Sequence, residues 1–217
     1  MPAHTLHTWI ARRIAVRTRL AQVGVSYLLF LMVVTRKHSL EEAARFSGLH
    51  KSQFSKFLHT HSQVAISTLQ GLSKKQAKQF SKTLHNLSQH HLPWKIALLI
   101  DSTLQHRASL HPENAKKFNH GKGFVIGHQW TNVVLIINDR LIPLQPIPFY
   151  SKRYCQEHDL AYQTEHDLVV AYINQIDLEE YIGSHDPRDV LVLADSGYDD
   201  KKIEHAIINK RWNFVIA

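Results

Sequence analysis

The sequence predicts an α/β protein in two parts: a helical region over residues 1–92, and a domain over residues 93–217 built on a mixed five-stranded sheet. Three observations carry that expectation. No proline lies between Pro2 and Pro93, and only Gly24 and Gly48 precede Gly71, so little interrupts helix in the first part. Beyond Pro93 the texture changes to β-branched runs divided by Asn, Asp, Gly and Pro, the pattern of strands and turns. Two of those runs, Ile96-Ala97-Leu98-Leu99-Ile100 and Val190-Leu191-Val192-Leu193-Ala194, are purely apolar, as strands buried on both faces are. Each is followed by an aspartate, Asp101 and Asp195, placed where a core strand should leave the sheet.

The helical part is expected from about Leu6 to Leu92. Its apolar stretch, Val23 to Val34, is broken by Gly24, Ser26 and Tyr27 and falls short of the roughly 20 residues that span a bilayer. No small-residue cleavage pattern follows it, so neither a membrane span nor a secretory signal is expected. Between Ser39 and Leu58, Ala44 would let two helices approach, Gly48 would permit a turn, and Leu49, Phe54 and Phe57 would fill a shared core, the spacing of a helix-turn-helix. Its second helix would present His50, Lys51, Ser52, Gln53, Ser55 and Lys56, groups suited to phosphates and base edges.

In the second part, strands are expected at Trp94 to Asp101 and Gly127 to Ile137, separated by a basic loop carrying Lys116, Lys117, His120 and Lys122. Asn138-Asp139 supplies a tight turn into a third strand, Leu141 to Ile147. A helix from Glu165 to Ile182 places Leu168, Val169, Tyr172, Ile173 and Ile176 on one face. The strand Val190 to Ala194, a short helix Asp199 to Asn209 and a strand Trp212 to Ile216 complete the order β-β-β-α-β-α-β.

The formal charge of +8, with 17 histidines in addition, favours a polyanionic partner, nucleic acid ahead of an anionic membrane. Lys74-Lys75-Gln76-Ala77-Lys78 and the run from Lys116 to Lys122 could each neutralise phosphates, whereas Arg12, Arg13, Arg17 and Arg19 read as a solvated helix face. Trp130 reads as packing for its strand. The single cysteine, Cys155, excludes an internal disulfide and suits a reducing cytoplasm.

With that element order, Leu99-Ile100-Asp101-Ser102-Thr103 and Ala194-Asp195-Ser196-Gly197-Tyr198-Asp199 resemble the ribonuclease-H-like core of DDE transposases, specifically those of bacterial insertion sequences, over about Pro93 to Ala217. The resemblance implies that Asp101 and Asp195 are the first two catalytic, metal-binding acids of a two-metal centre using Mg2+ or Mn2+. It further implies double-stranded DNA at element ends as substrate, a homodimer on that DNA, and a cytoplasmic, nucleoid-associated location. The family's third acid is a Glu on a helix after the fifth strand, within a Tyr-x-x-Arg-x-x-x-Glu pattern. No such pattern occurs, and Glu204 falls between the fourth and fifth strands. The expectation is therefore a copy cut short before its third acid, or an excerpt of a longer chain, with a non-catalytic DNA-binding fragment as the alternative. Two other chemistries fit poorly. His59 with His61 and His90 with His91 lack zinc-site spacing, and Asp101-Ser102-Thr103 lacks the second Asp of a haloacid-dehalogenase phosphatase.

Overall fold

A computed structural model describes residues 19–34, 39–82, 95–106, 113–120 and 123–217, which fall into two compact units, Met1–Leu72 and Ser73–Ala217. The boundary expected near Pro93 lies outside the described residues; the division in packing comes after Leu72.

The first unit contains helices α1 (Arg19–Val33), α2 (Leu40–Ser47) and the start of α3 (Lys51–Ser81). Ser39 caps α2, its Oγ accepting the Glu42 N–H at 3.2 Å. Gly48, at φ 71°, ends α2 in the left-handed conformation that glycine adopts without strain, and the chain turns straight into α3. Val23, Phe30, Ala43, Phe54 and Phe57 form the core. A Cβ on Gly24 would stand 2.6 Å from the Phe57 ring, which explains a glycine amid the apolar residues of α1. No described helix is long and apolar enough to cross a membrane.

The second unit is built on a mixed sheet of seven strands rather than five: β1 (Ile96–His106), β2 (Lys116–His120), β3 (Gly123–Ile137), β4 (Arg140–Pro143), β5 (Ile147–Pro148), β6 (Val190–Ala194) and β7 (Asn213–Ile216). One edge of the 15-residue β3 pairs antiparallel with β1 over Gly127–Ile137. Its other edge takes β2, β5 and β4 in succession along its length. β6 then pairs parallel with β1, and β7 parallel with β6.

Two expectations are corrected here. The basic loop is a strand, since Lys116 and Lys117 belong to β2 and face β3 across a regular register. The single third strand is instead two short ones, because Pro143, Pro146 and Pro148 lack the N–H that a continuous ladder requires. The expected turn at Asn138-Asp139 is present, both residues having positive φ (47° and 64°) as a type I′ hairpin demands.

Among the described residues, four α-helices follow or flank the sheet: α4 (Lys152–Glu157), α5 (Glu165–Gln175), α6 (Glu179–Ile182) and α7 (Lys201–Asn209). The helix expected to run to Ile182 stops at Gln175, where Ile176 turns extended (φ −65°, ψ 128°). Ile96, Leu98 and Ile100 on β1 share one core with Val133, Leu135 and Ile137 on β3, Val169 and Ile173 on α5, and Ile203 and Ile207 on α7. The last turns of α3 join this unit: Ala77 lies in the core, Phe80 packs on it, and Ser73 Oγ donates to the Pro143 carbonyl at 2.8 Å.

Candidate functional site

The two aspartates are brought together by strand register. Ile100 on β1 pairs with Ala194 on β6, so the next residues, Asp101 and Asp195, stand side by side on neighbouring parallel strands, their backbones roughly 5 Å apart. Asp195 follows the end of β6, as expected. Asp101 does not end its strand: β1 continues to His106, because β3 is long enough to keep pairing with it. What ends at Asp101 is burial and pairing with β6, since Ile96, Leu98 and Ile100 are buried and Asp101 is exposed.

Alternation places Asp101 on the face of β1 opposite Leu98 and Ile100, away from the α5 and α7 core. Asp195 leaves β6 still extended (φ −79°, ψ 170°) and caps a 3-10 turn, Ser196–Tyr198, by accepting the Gly197 N–H on Oδ1 at 3.1 Å. Its Oδ2 takes no hydrogen bond from a described residue, and the Asp101 side chain has no hydrogen-bond or ion-pair partner among the described residues. Two exposed, adjacent carboxylates thus stand without a cationic partner among the described residues. On the other side of Asp101, its direct partner on β3 is Asn132, whose Oδ1 accepts from Trp130 Nε1 at 3.0 Å and whose amide donates to Thr103 Oγ1. Asn132, Asp101 and Asp195 form a polar row across three strands, and the half-buried Trp130 helps to orient its first member. No group of three or more His, Cys, Asp and Glu side chains gathers as a metal-binding cluster among the described residues.

The turn after β6 is held by the first residues of α5, which the sequence had shown only as a helix start. Thr164 caps α5 in a capping box with Asp167. Glu165 accepts from Thr131 Oγ1 at 3.0 Å, from Tyr198 OH at 2.8 Å and from Gln129 Nε2 at 2.5 Å, so it ties α5 to β3 and to the turn at once. Burial, followed by the Glu165 carboxylate, pushes the Tyr198 hydroxyl well above its ordinary value, with the Thr131 and Ser102 hydroxyls pulling the other way. His166 directs Nδ1 at Asp200 Oδ2 (2.9 Å) and Nε2 at the Gly197 carbonyl (2.8 Å). Both partners are acceptors, so only the doubly protonated imidazolium satisfies both. Burial by itself would lower the imidazole's pKa; the bonds to Asp200 and Gly197 and the nearby carboxylates outweigh it and raise the value.

The residues expected to meet DNA fall in two places. In the first unit, His50, Lys51, Ser52, Ser55, Lys56 and His59 line one shallow depression. Some are already engaged: Gln53 Oε1 accepts the His50 N–H at 3.1 Å, Ser52 Oγ lies 2.7 Å from His50 Nδ1, and Lys51 is paired with Glu41 at 3.2 Å. Ser55 and Lys56 are exposed. In the second unit, Lys116 and Lys117 are exposed on β2, and Lys122 lies outside the described residues. Lys74, from the other basic run, is committed to Glu180 and the Tyr181 ring.

No family model matches the chain, and no curated protein does. Three solved complexes resemble it at a distance. A Mos1 strand transfer complex gives a TM-score of 0.29 at 11% identity, a Mos1 transposase paired-end complex with the left transposon end gives 0.26 at 12%, and a pre-cleavage Mos1 transpososome gives 0.24 at 10%. Each alignment takes in 92% of this chain, which spans 58–59% of the length of those chains. Values this low assign neither fold nor function.

Proposed function

We propose that the chain is a metal-dependent DNA strand-cleaving and strand-joining enzyme of the DDE transposase type, akin to those of bacterial insertion sequences, with a ribonuclease-H-like second unit. The observation that carries this reading is the Ile100–Ala194 register, which sets Asp101 and Asp195 next to each other, exposed and without a counter-cation among the described residues. Like charges this close repel, and a hard divalent ion taking oxygen ligands relieves the repulsion. The donor set suits Mg2+ or Mn2+: Asp101 and Asp195 would hold the ion, with water and phosphate oxygens as its remaining ligands. Such ions supply activation of an attacking water or 3′-hydroxyl and stabilisation of the departing oxygen. The protein's own contribution is positional, with β1 and β6 fixing the acids and Glu165, His166 and Tyr198 fixing the turn behind Asp195.

Under this reading α2 and α3 act as a helix-turn-helix on double-stranded DNA. Lys51, Ser52, Gln53 and Lys56 at the start of α3 approach the groove, while Lys116, Lys117 and Lys122 contact phosphates. A homodimer would hold two DNA ends.

The test is metal-dependent cleavage of insertion-end DNA by the purified chain and by its Asp101→Asn and Asp195→Asn variants. Each substitution abolishes cleavage while leaving DNA binding intact; cleavage that persists in both overturns the assignment. A second reading, a DNA-binding protein without catalysis, is favoured by one observation: no third acid joins Asp101 and Asp195 among the described residues. It prevails if the chain binds end DNA and never cuts it.

A further inference from the structure

Away from the acid pair, the second unit carries a surface of cations held over aromatic rings. Lys116 Nζ lies 4.9 Å above the Phe149 ring and 5.3 Å from Phe118, and Lys152 Nζ lies 5.2 Å above Tyr162. Phe149 and Tyr162 meet edge to face at 6.3 Å, so the two ammonium groups flank one aromatic pair. Neither lysine has a carboxylate partner among the described residues; Glu157 pairs instead with Arg153 at 2.7 Å. Beside this pair runs a short stack of rings, Tyr150 on Tyr154 (5.3 Å, 14°) and Tyr154 on His158 (4.1 Å). Tyr150 and Tyr162 are 38% and 39% exposed.

The backbone beneath is fixed. Asn114, at φ 54°, donates from Nδ2 to the Phe149 carbonyl and accepts the Ser151 N–H on Oδ1, both at 2.9 Å. The Phe149 N–H bonds to the Gln129 carbonyl at 3.3 Å, three residues along β3 from Asn132, the partner of Asp101.

We propose that this surface binds an unpaired DNA strand, its bases stacking on Tyr150 and Tyr162 and its phosphates meeting Lys116 and Lys152. Duplex DNA buries its base faces in its own stack and offers a protein only phosphates and groove edges, for which exposed rings are of little use. An unpaired strand offers both faces and phosphates, and rings interleaved with free cations match that pair of chemistries. The inference builds on the reading of the chain as a DNA-processing enzyme and names the form of DNA this surface holds.

The experiment is fluorescence anisotropy on the full chain, with a labelled oligothymidylate of about 15 nucleotides and a duplex of the same length. Tyr150→Leu/Tyr162→Leu should weaken oligothymidylate binding roughly ten- to hundredfold while moving duplex binding less than about twofold. Lys116→Ala/Lys152→Ala should weaken it too and flatten its salt dependence. Unchanged affinity in the tyrosine variant, equal losses on both DNAs, or failure of the wild type to bind the single strand overturns the proposal. Should the double variant not fold by circular dichroism, 2-aminopurine in the strand decides. Quenching on binding to the wild-type protein supports stacking, and unaltered emission contradicts it. Asp101→Asn and Asp195→Asn should leave oligothymidylate affinity unchanged, so loss of the catalytic reading and loss of this one are separate outcomes.

Discussion

Replacing Glu165 by Ala tests whether the start of α5 secures the sheet and the turn behind Asp195. The carboxylate receives the hydroxyls of Thr131 and Tyr198 and the amide of Gln129. Thr131 and Tyr198 are 3% and 2% exposed, so water cannot readily replace the lost acceptor. Leaving a buried donor unsatisfied costs about 1–3 kcal/mol, and two are stranded. The two hydroxyls lie 3.4 Å apart and recover part of that by bonding each other, so the net loss is about 2–4 kcal/mol. Glu165→Gln keeps an acceptor oxygen and should cost about 1 kcal/mol. Urea unfolding followed by circular dichroism measures both. A loss below about 0.5 kcal/mol for Glu165→Ala would refute the claim that this network holds the turn.

Gly127 pairs with His106 on one side and Lys116 on the other, and a Cβ there would stand 2.2 Å from the Gln105 carbonyl oxygen; Gly127→Ala should destabilise the second unit by about 1–3 kcal/mol in thermal or urea unfolding. His166 has its pKa raised above 6.5 and Asp200 has its own lowered below 3.8. The imidazolium's contribution is therefore full below the unfolded histidine's pKa and fades as pH rises through the raised one, while that of Asp200 fades only in acid. His166→Asn should remove that alkaline loss from a stability-against-pH profile, and ring 15N shifts should show the wild-type imidazole holding both protons to a higher pH than an unfolded-chain histidine does.

How much could be read in advance depended on whether the deciding interaction was local. The apolar runs before Asp101 and Asp195 named their own strands, and Asn138-Asp139 named its turn, because burial and positive φ leave marks in adjacent residues. β2 left none. Lys-Lys-Phe-Asn-His has the composition of a loop and becomes a strand only because β3 reaches past Gly127 to pair with it, and its lysines suit an edge position. The same long β3 carries β1 beyond Asp101, which moved that acid from a strand end to mid-strand. Glu165 and His166 looked like ordinary residues of a helix's first turn. Their partners, Tyr198, Gly197 and Asp200, lie more than thirty residues away, and only the fold joins them.

The central claim, that Asp101 and Asp195 act as one cation site, is tested most directly by Mn2+ binding followed by electron paramagnetic resonance. The wild-type chain should bind Mn2+, and Asp101→Asn and Asp195→Asn should each weaken binding about tenfold or more, with the double variant little worse than either alone, as for two ligands of one ion. Affinity unchanged in both single variants, or losses that simply add, would contradict a shared site.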